Sequence, residues 1–308
     1  MDKPKKILVI GSSNTDMTVR TNRLPSPGET VVGGVFTMGY GGKGANQAVA
    51  AKRLGGDVTF VCKIGRDIFG ENSLKKYEME GIDTSHILFS DKPSGIALIN
   101  VDSTAENSIS VASGANLDFS AEDVRNMKDV IRGASVLVLQ MEIPAETVLE
   151  AARIAFEYGI YVILNPAPAC ILPEMIYKYV TLMIPNATEA GQMSGIRVSD
   201  RRSAEIAAGR LLENGARNVI ITMGAAGSII CGGNGTVFIP SVKVDAADTT
   251  AAGDTYCGAL SVALAEGKSL HDAALFATVA SSIAVTRCGA QESIPTRAEV
   301  DEAMSYLS

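Results

Sequence analysis

Residues 136–164 read VLVLQMEIPAETVLEAARIAFEYGIYVIL. Val136–Met141 is a short apolar run, Ala145–Tyr158 a helical stretch, and Ile160–Leu164 a second apolar run. Runs of this length without polar alternation suit strands covered on both faces, as in a parallel sheet. The same unit recurs in both directions along the chain. Lys6–Ile10, Val58–Lys63, Thr181–Ile184 and Val219–Thr222 read as further strands, and Gly44–Leu54, Phe69–Glu80, Ala121–Ile131 and Ser203–Asn214 as helices. In the last of these, Ile206, Ala207, Ala208, Leu211 and Leu212 make one apolar face, while Glu205, Arg210 and Glu213 stay outside. This alternation predicts an α/β fold with a doubly wound, mostly parallel sheet flanked by helices.

Two segments break the pattern. Asp16–Tyr40 holds Pro25, Pro27 and a run of glycine and β-branched residues at Thr30–Val35, with no helical period. Gly95–Ser113 alternates at Ile96, Leu98 and Asn100, then at Ile109 and Val111, around the polar turn Asp102–Asn107. Both read as antiparallel strands outside the βαβ series. A small sheet is therefore expected to project from the edge of the main domain, as a lid or a dimer surface. The 308 residues show no linker, low-complexity tract or internal repeat, and read as one domain carrying these two segments.

Composition narrows the chemistry. Lys and Arg number 27 against 34 Asp and Glu, a net charge of −7, which argues against a nucleic-acid-gripping protein. The basic run Lys3–Lys6 precedes only four apolar residues, Ile7–Ile10, too few for a signal peptide. No run approaches the roughly 18–20 apolar residues of a membrane span. His86 and His271 lie far apart with no metal-binding spacing, which argues against a His-rich zinc site and makes carboxylates the better candidates for proton chemistry. The five cysteines are scattered without a C-x-x-C pair, and four of them sit among apolar or small neighbours, as buried free thiols would. A soluble, cytoplasmic protein is expected, with no nucleic-acid or membrane partner.

Several loops carry chemistry. Gly39-Tyr40-Gly41-Gly42-Lys43-Gly44 fits G-x-G-x-x-G, but it is not the first βα turn, where the dinucleotide fingerprint belongs. It brings backbone close to a ligand with Lys43 and Asn46 at a helix start; a plain tight turn is the alternative. Asn14 and Asp16 follow the first strand, where open α/β sheets bind ligands, and can face a polyol or simply form an Asx turn. Asp248-Thr249-Thr250-Ala251-Ala252-Gly253-Asp254 leads into a helix over Tyr256–Ala265. Such a segment aims backbone N–H groups at an anion, and its Asp254 is expected to stay ionised yet able to take a hydroxyl proton. That combination suits phosphoryl transfer to an alcohol, whereas an ordinary Asp N-cap is the plainer reading. Asn186 and Glu189 can hold hydrated magnesium or form a capping box. Thr222-Met223-Gly224-Ala225-Ala226-Gly227 is a glycine turn that can hold a nucleotide or only redirect the chain.

Together these segments resemble the ribokinase family of sugar and nucleoside kinases, over essentially the whole chain. The most specific parts are Gly41–Asn46 and Asp248–Asp254, supported by Asn186-x-x-Glu189 and by Thr286-Arg287-Cys288-Gly289-Ala290-Gln291-Glu292-Ser293. The resemblance implies that Asn14, Asp16, Gly42, Lys43, Asn46 and Glu142 hold the sugar and that Asp254 is the base. It implies an anion hole at the Ala252 and Gly253 N–H groups. Nucleotide contacts would come from Asn186, from Thr222, Met223, Gly224, Ala225, Ala226 and Gly227, and from Thr278. Glu189 would order Mg²⁺ through water. Asp248, Thr250, Ala284, Arg287, Gly289 and Ser293 would surround an activating K⁺, mostly through backbone oxygens. Relatives often place a polar or basic side chain where this chain has Ala225-Ala226, and Asn or His where it has Thr278.

The implied activity is ATP-dependent phosphorylation of the primary hydroxyl of a pentose, D-ribose to D-ribose 5-phosphate. The projecting sheet is implied to be both lid and homodimer contact. The alternatives are a deoxyribose or nucleoside kinase of the same family, or a non-catalytic sugar sensor.

Overall fold

Alternate residues of the first strand enter different cores: Ile7 and Val9 one, Leu8 and Ile10 the other. That is the sidedness of a strand covered on both faces, and it holds across the central sheet. The structure is a computed structural model describing residues 5–104, 106–233 and 235–306. Lys3 and Pro4 of the basic run, and Ala105 of the polar turn, lie outside these residues. The strands are β1 (Lys6–Ile10), β2 (Asn14–Arg20), β3 (Val35–Gly41), β4 (Asp57–Val61), β5 (Lys63–Gly65), β6 (Leu88–Ser90), β7 (Gly95–Val101), β8 (Asn107–Ala112), β9 (Val136–Leu139), β10 (Tyr161–Leu164), β11 (Leu182–Met183), β12 (Asn218–Thr222), β13 (Ser228–Gly232) and β14 (Gly235–Ile239). The eight-stranded sheet runs β14-β13-β12-β11-β10-β9-β1-β4. Its pairs from β12 to β4 are parallel, and β13 and β14 add an antiparallel hairpin at the edge.

The helices are α1 (Lys43–Arg53), α2 (Ile68–Met79), α3 (Ala121–Asn126), α4 (Lys128–Arg132), α5 (Ala145–Glu157), α6 (Ile176–Tyr179), α7 (Ala187–Ser194), α8 (Arg201–Glu213), α9 (Ala252–Ala265), α10 (Leu270–Ala284) and α11 (Arg297–Ser305). One face of the sheet packs on α1, α2, α9, α10 and α11 and the other on α3 to α8. Among the described residues no helix is long and apolar enough to cross a membrane.

Local departures from the sequence reading have local causes. The run Val58–Lys63 divides at Cys62, where the chain leaves β1 to pair β5 with β6. The stretch Ala121–Ile131 breaks at Met127, which caps both α3 and α4. Helix α9 starts at Ala252 rather than Tyr256, because Ala251 takes a left-handed φ of 57° and becomes its N-cap. The projecting sheet, β3-β2-β7-β8, is mixed rather than all antiparallel. Strands β2 and β7 run parallel, Asn14 opposite Gly95, with β2 arriving from β1 of the main sheet and β7 from β6 of the two-stranded sheet. Of Thr30–Val35 only Val35 is in a strand. All five cysteines are free, but three are buried rather than four: Cys170 and Cys288 are exposed.

Candidate active site

The turn after β1 meets the start of α1 without side chains between them. A Cβ on Gly44 would stand 2.5 Å from the Ser12 nitrogen, so only glycine permits this approach. The contact sets the polar groups beside it. Ser12 Oγ donates to Glu142 Oε2 at 2.6 Å, and the Lys43 N–H donates to the same oxygen at 2.9 Å. Asn14 Oδ1 accepts from Asn116 Nδ2 at 2.7 Å, and Asn116 Oδ1 accepts from the Ser13 N–H at 2.9 Å. The Asn14 NH₂ is thereby the end left for a ligand.

Asp16 stands on β2 near three further carboxylates. Burial, then Glu142, Glu292 and Asp254, push its pKa up from 3.8 to about 7. Between those values the folded chain holds a proton that the unfolded chain has released, so stability falls as pH rises through this window. Asp16→Asn removes that loss. Its gain in Tm over wild type, measured without sugar, is expected to grow from about pH 5 to about pH 8. A gain that does not change with pH would contradict it.

Asp254 is the third residue of α9, not its N-cap. Its Oδ2 accepts from Asn46 Nδ2 and its Oδ1 from Gln47 Nε2, each at 2.9 Å. Asp254 lines a cavity of about 170 Å³ with Lys43, Asn186, Glu189, Thr222, Ala252 and Gly253. Burial opposes the charge on Lys43, yet Asp254, Glu142 and Glu189 around it raise its pKa. Burial raises that of Glu189, against the Asn186 N–H and Lys43. Asn186 and Glu189 form the capping box: Asn186 Oδ1 accepts from the Glu189 N–H and Glu189 Oε2 from the Asn186 N–H, both at 2.8 Å. The box orients the carboxylate at the cavity wall and does not remove it from the cavity.

A second cavity, about 520 Å³, adjoins the first through Thr222, Thr249, Ala252 and Gly253, which line both. Gly224, Ala225, Gly227 and Thr278 line it; Met223 and Ala226 line neither cavity. Thr278 Oγ1 donates to the Ala274 carbonyl at 2.8 Å, which commits its proton and leaves its lone pairs to accept. Lys243, missed in the sequence because it lies in an irregular segment after β14, also lines this cavity. It brings a cation to a wall where Ala225 brings none. The Ala252 N–H turns back to the Thr249 carbonyl at 3.2 Å.

Asp248 closes a loop beside α9. Its Oδ1 accepts from the Thr250 N–H and Oγ1 at 2.9 and 2.6 Å, and its Oδ2 from the Gly289 N–H at 3.0 Å. The Ala247 and Asp248 N–H groups donate to the Val285 carbonyl, and Arg287 N–H to that of Ala284. Asp248, Thr250, Ala284, Arg287 and Gly289 thus meet in two hydrogen-bonded segments. The Arg287 guanidinium turns away to Glu299, and Ser293 Oγ donates to the Ala290 carbonyl.

The pattern shared by the pfkB family of carbohydrate kinases matches residues 4–297. The chain is 42% identical over 303 residues to a ribokinase of Haemophilus influenzae, covering 98% of this chain and 99% of that protein. It is 36% identical over 304 residues to a deoxyribokinase of Salmonella typhi, covering 98% of each. A solved structure described as Arabidopsis thaliana ribokinase complexed with ribose and ATP superimposes with a TM-score of 0.89 at 28% identity, over 98% of each chain. Loops, fold and sequence converge, and the chain belongs to the pfkB family of carbohydrate kinases.

Proposed function

We propose that this chain is an ATP-dependent pentose kinase that phosphorylates D-ribose at its primary hydroxyl, O5. The observation that carries the reading is Asp254, held by two amides on the wall of a small polar cavity that adjoins a larger one at a helix N-terminus. Asn14, Asp16, Gly42, Lys43, Asn46 and Glu142 hold the sugar so that O5 reaches Asp254. Asp254 takes the O5 proton as the oxygen attacks the γ-phosphorus, whose bond to the β–γ bridging oxygen breaks to release ADP. The N–H groups of Ala252 and Gly253 receive the phosphoryl oxygens, which displace the Thr249 carbonyl from Ala252. Asn186, Thr278 and the Thr222–Gly227 turn form the nucleotide side, with Met223 and Ala226 shaping the turn from behind.

The residues fit Mg²⁺: Glu189 is a buried carboxylate with a raised pKa, a group that a hard cation stabilises in its charged form. When bound, the ion offsets the phosphate charge. The oxygen-rich loop formed by Asp248, Thr250, Ala284, Arg287 and Gly289, with Ser293 beyond it, fits K⁺ by donor type. In this reading the whole chain is one catalytic unit and β3-β2-β7-β8 is its lid. Apolar side chains exposed on this sheet, among them Phe36, Met38 and Leu98, suit a homodimer contact, for which the expected solution mass is that of two chains.

An ADP-release assay tests the activity. Turnover is expected with ribose and ATP, is lost without Mg²⁺ and rises with K⁺. The deoxyribokinase relative makes 2-deoxyribose the second substrate to compare. No turnover with any pentose would overturn the proposal, and preference for deoxyribose would move it to that substrate.

A further inference from the structure

The Asp254 carboxylate is oriented from outside its own helix. Gln47, fully buried in α1 among Ala45, Ala48, Val49, Ala50 and Ala51, is a costly residue to place there unless its amide is satisfied. Its Nε2 lies 2.9 Å from Asp254 Oδ1 and 3.0 Å from Asn165 Oδ1. Gln47 Oε1 accepts from Gln140 Nε2 at 2.7 Å, and Asn165 Nδ2 donates to the Ile184 carbonyl at 2.9 Å. The chain of bonds begins at a carboxylate and ends at a backbone carbonyl, groups that only accept, so every amide between them has one possible orientation. Gln140 and Asn165 stand just beyond the ends of β9 and β10, so the network ties α1 and α9 to the sheet's carboxyl edge.

We infer that Gln47 is a positioning residue for phosphoryl transfer, fixing the plane of the Asp254 carboxylate through Oδ1 so that the Oδ2 side, shared with Asn46, faces the sugar hydroxyl. The inference rests on the reading of Asp254 as the base. A freed carboxylate rotates about its Cβ–Cγ bond and offers its lone pairs in the wrong direction. The loss falls on the chemical step, because Gln47 lies behind Asp254 and not among the groups proposed to hold the sugar.

The test measures kcat and ribose KM against pH for Gln47→Leu and Gln47→Glu, with Asp254→Asn in the same series. Gln47→Leu is expected to lower kcat roughly 10–100-fold, the scale of a slightly misplaced catalytic group, with KM nearly unchanged. Gln47→Glu keeps the shape. Protonated, the introduced carboxyl donates one bond to Asp254; ionised, it sets a second negative charge beside it. The kcat of this variant should therefore fall with rising pH over a range where wild type does not, which a purely structural role would not produce. Should Gln47→Leu fail to fold, this isosteric variant alone decides. Wild-type kcat in Gln47→Leu, or a wild-type pH profile in Gln47→Glu, overturns the inference while an inactive Asp254→Asn leaves the base in place. Turnover within roughly tenfold of wild type in Asp254→Asn removes the base and the inference together.

Discussion

Asp254→Asn is expected to lower ribose turnover on the order of 10²–10⁴-fold, the range of a lost general base, with ribose KM changed far less. The substitution is isosteric but its hydrogen bonding is not. Both oxygens of Asp254 accept from an amide, Asn46 at one and Gln47 at the other. An asparagine there keeps one acceptor and turns an NH₂ toward the other donor. Gln47 cannot adapt, since its second N–H serves Asn165 and its carbonyl serves Gln140. Asn46 can turn over, because its Oδ1 has only a long contact, 3.4 Å, from Gln291 Nε2. The variant should therefore place its new oxygen toward Gln47 and its NH₂ toward a turned Asn46. A modest rise in KM follows, from Asn46 and not from the lost base. Steady-state kinetics alongside calorimetric ribose binding separates the two effects. Turnover within tenfold of wild type would remove Asp254 from the mechanism.

What was legible in the sequence followed from period and spacing. Continuous apolar runs such as Val136–Leu139 and Tyr161–Leu164 can be buried on both faces only in a covered sheet, and the fold class follows. The loops at the strand ends each had a plainer reading as a turn or a cap, and it was their joint resemblance to one family that singled them out. The start of α9 was not, since it depends on Ala251 adopting a left-handed conformation that no residue type announces. The parallel junction of β2 with β7 was hidden for another reason. It joins segments about eighty residues apart, and alternation within each strand says nothing of the direction of its neighbour. The amides behind the base were missed as well. Gln47, Gln140 and Asn165 lie far apart in the sequence, and only three-dimensional convergence bonds Gln140 and Asn165 to Gln47. Glu189 shows the limit from the other side. The capping box does not exclude a role at a metal, since one geometry forms the box and leaves the carboxylate on the cavity wall.

Gly42→Ala is expected to damage the sugar site although it removes no polar group. Gly42 joins β3 to α1 at φ 88° and ψ 130°, a conformation that costs an L-residue about 1–3 kcal/mol. Its Cβ would also stand 2.8 Å from the Asn14 nitrogen and 3.0 Å from Ser13 Cα. Those atoms are backbone, so no side chain can swing aside, and overpacking adds about another 1–3 kcal/mol. Relief requires the β1 turn to move away from α1. That movement carries Asn14 with it and separates Ser12 from Glu142 and from the Gly44 N–H. A lower Tm and at least a roughly tenfold higher ribose KM are expected, since a displacement of about 1 Å can cost as much as 10²-fold. Gly253 provides the contrast. An added Cβ there meets nothing within 4 Å and its backbone is helical, so Gly253→Ala should keep or raise Tm. If Gly42→Ala leaves both Tm and KM at wild-type values, close backbone approach is not what shapes the sugar site. If Gly253→Ala alone loses turnover while keeping its Tm, space at the helix N-terminus is needed by the phosphoryl group and not by the fold.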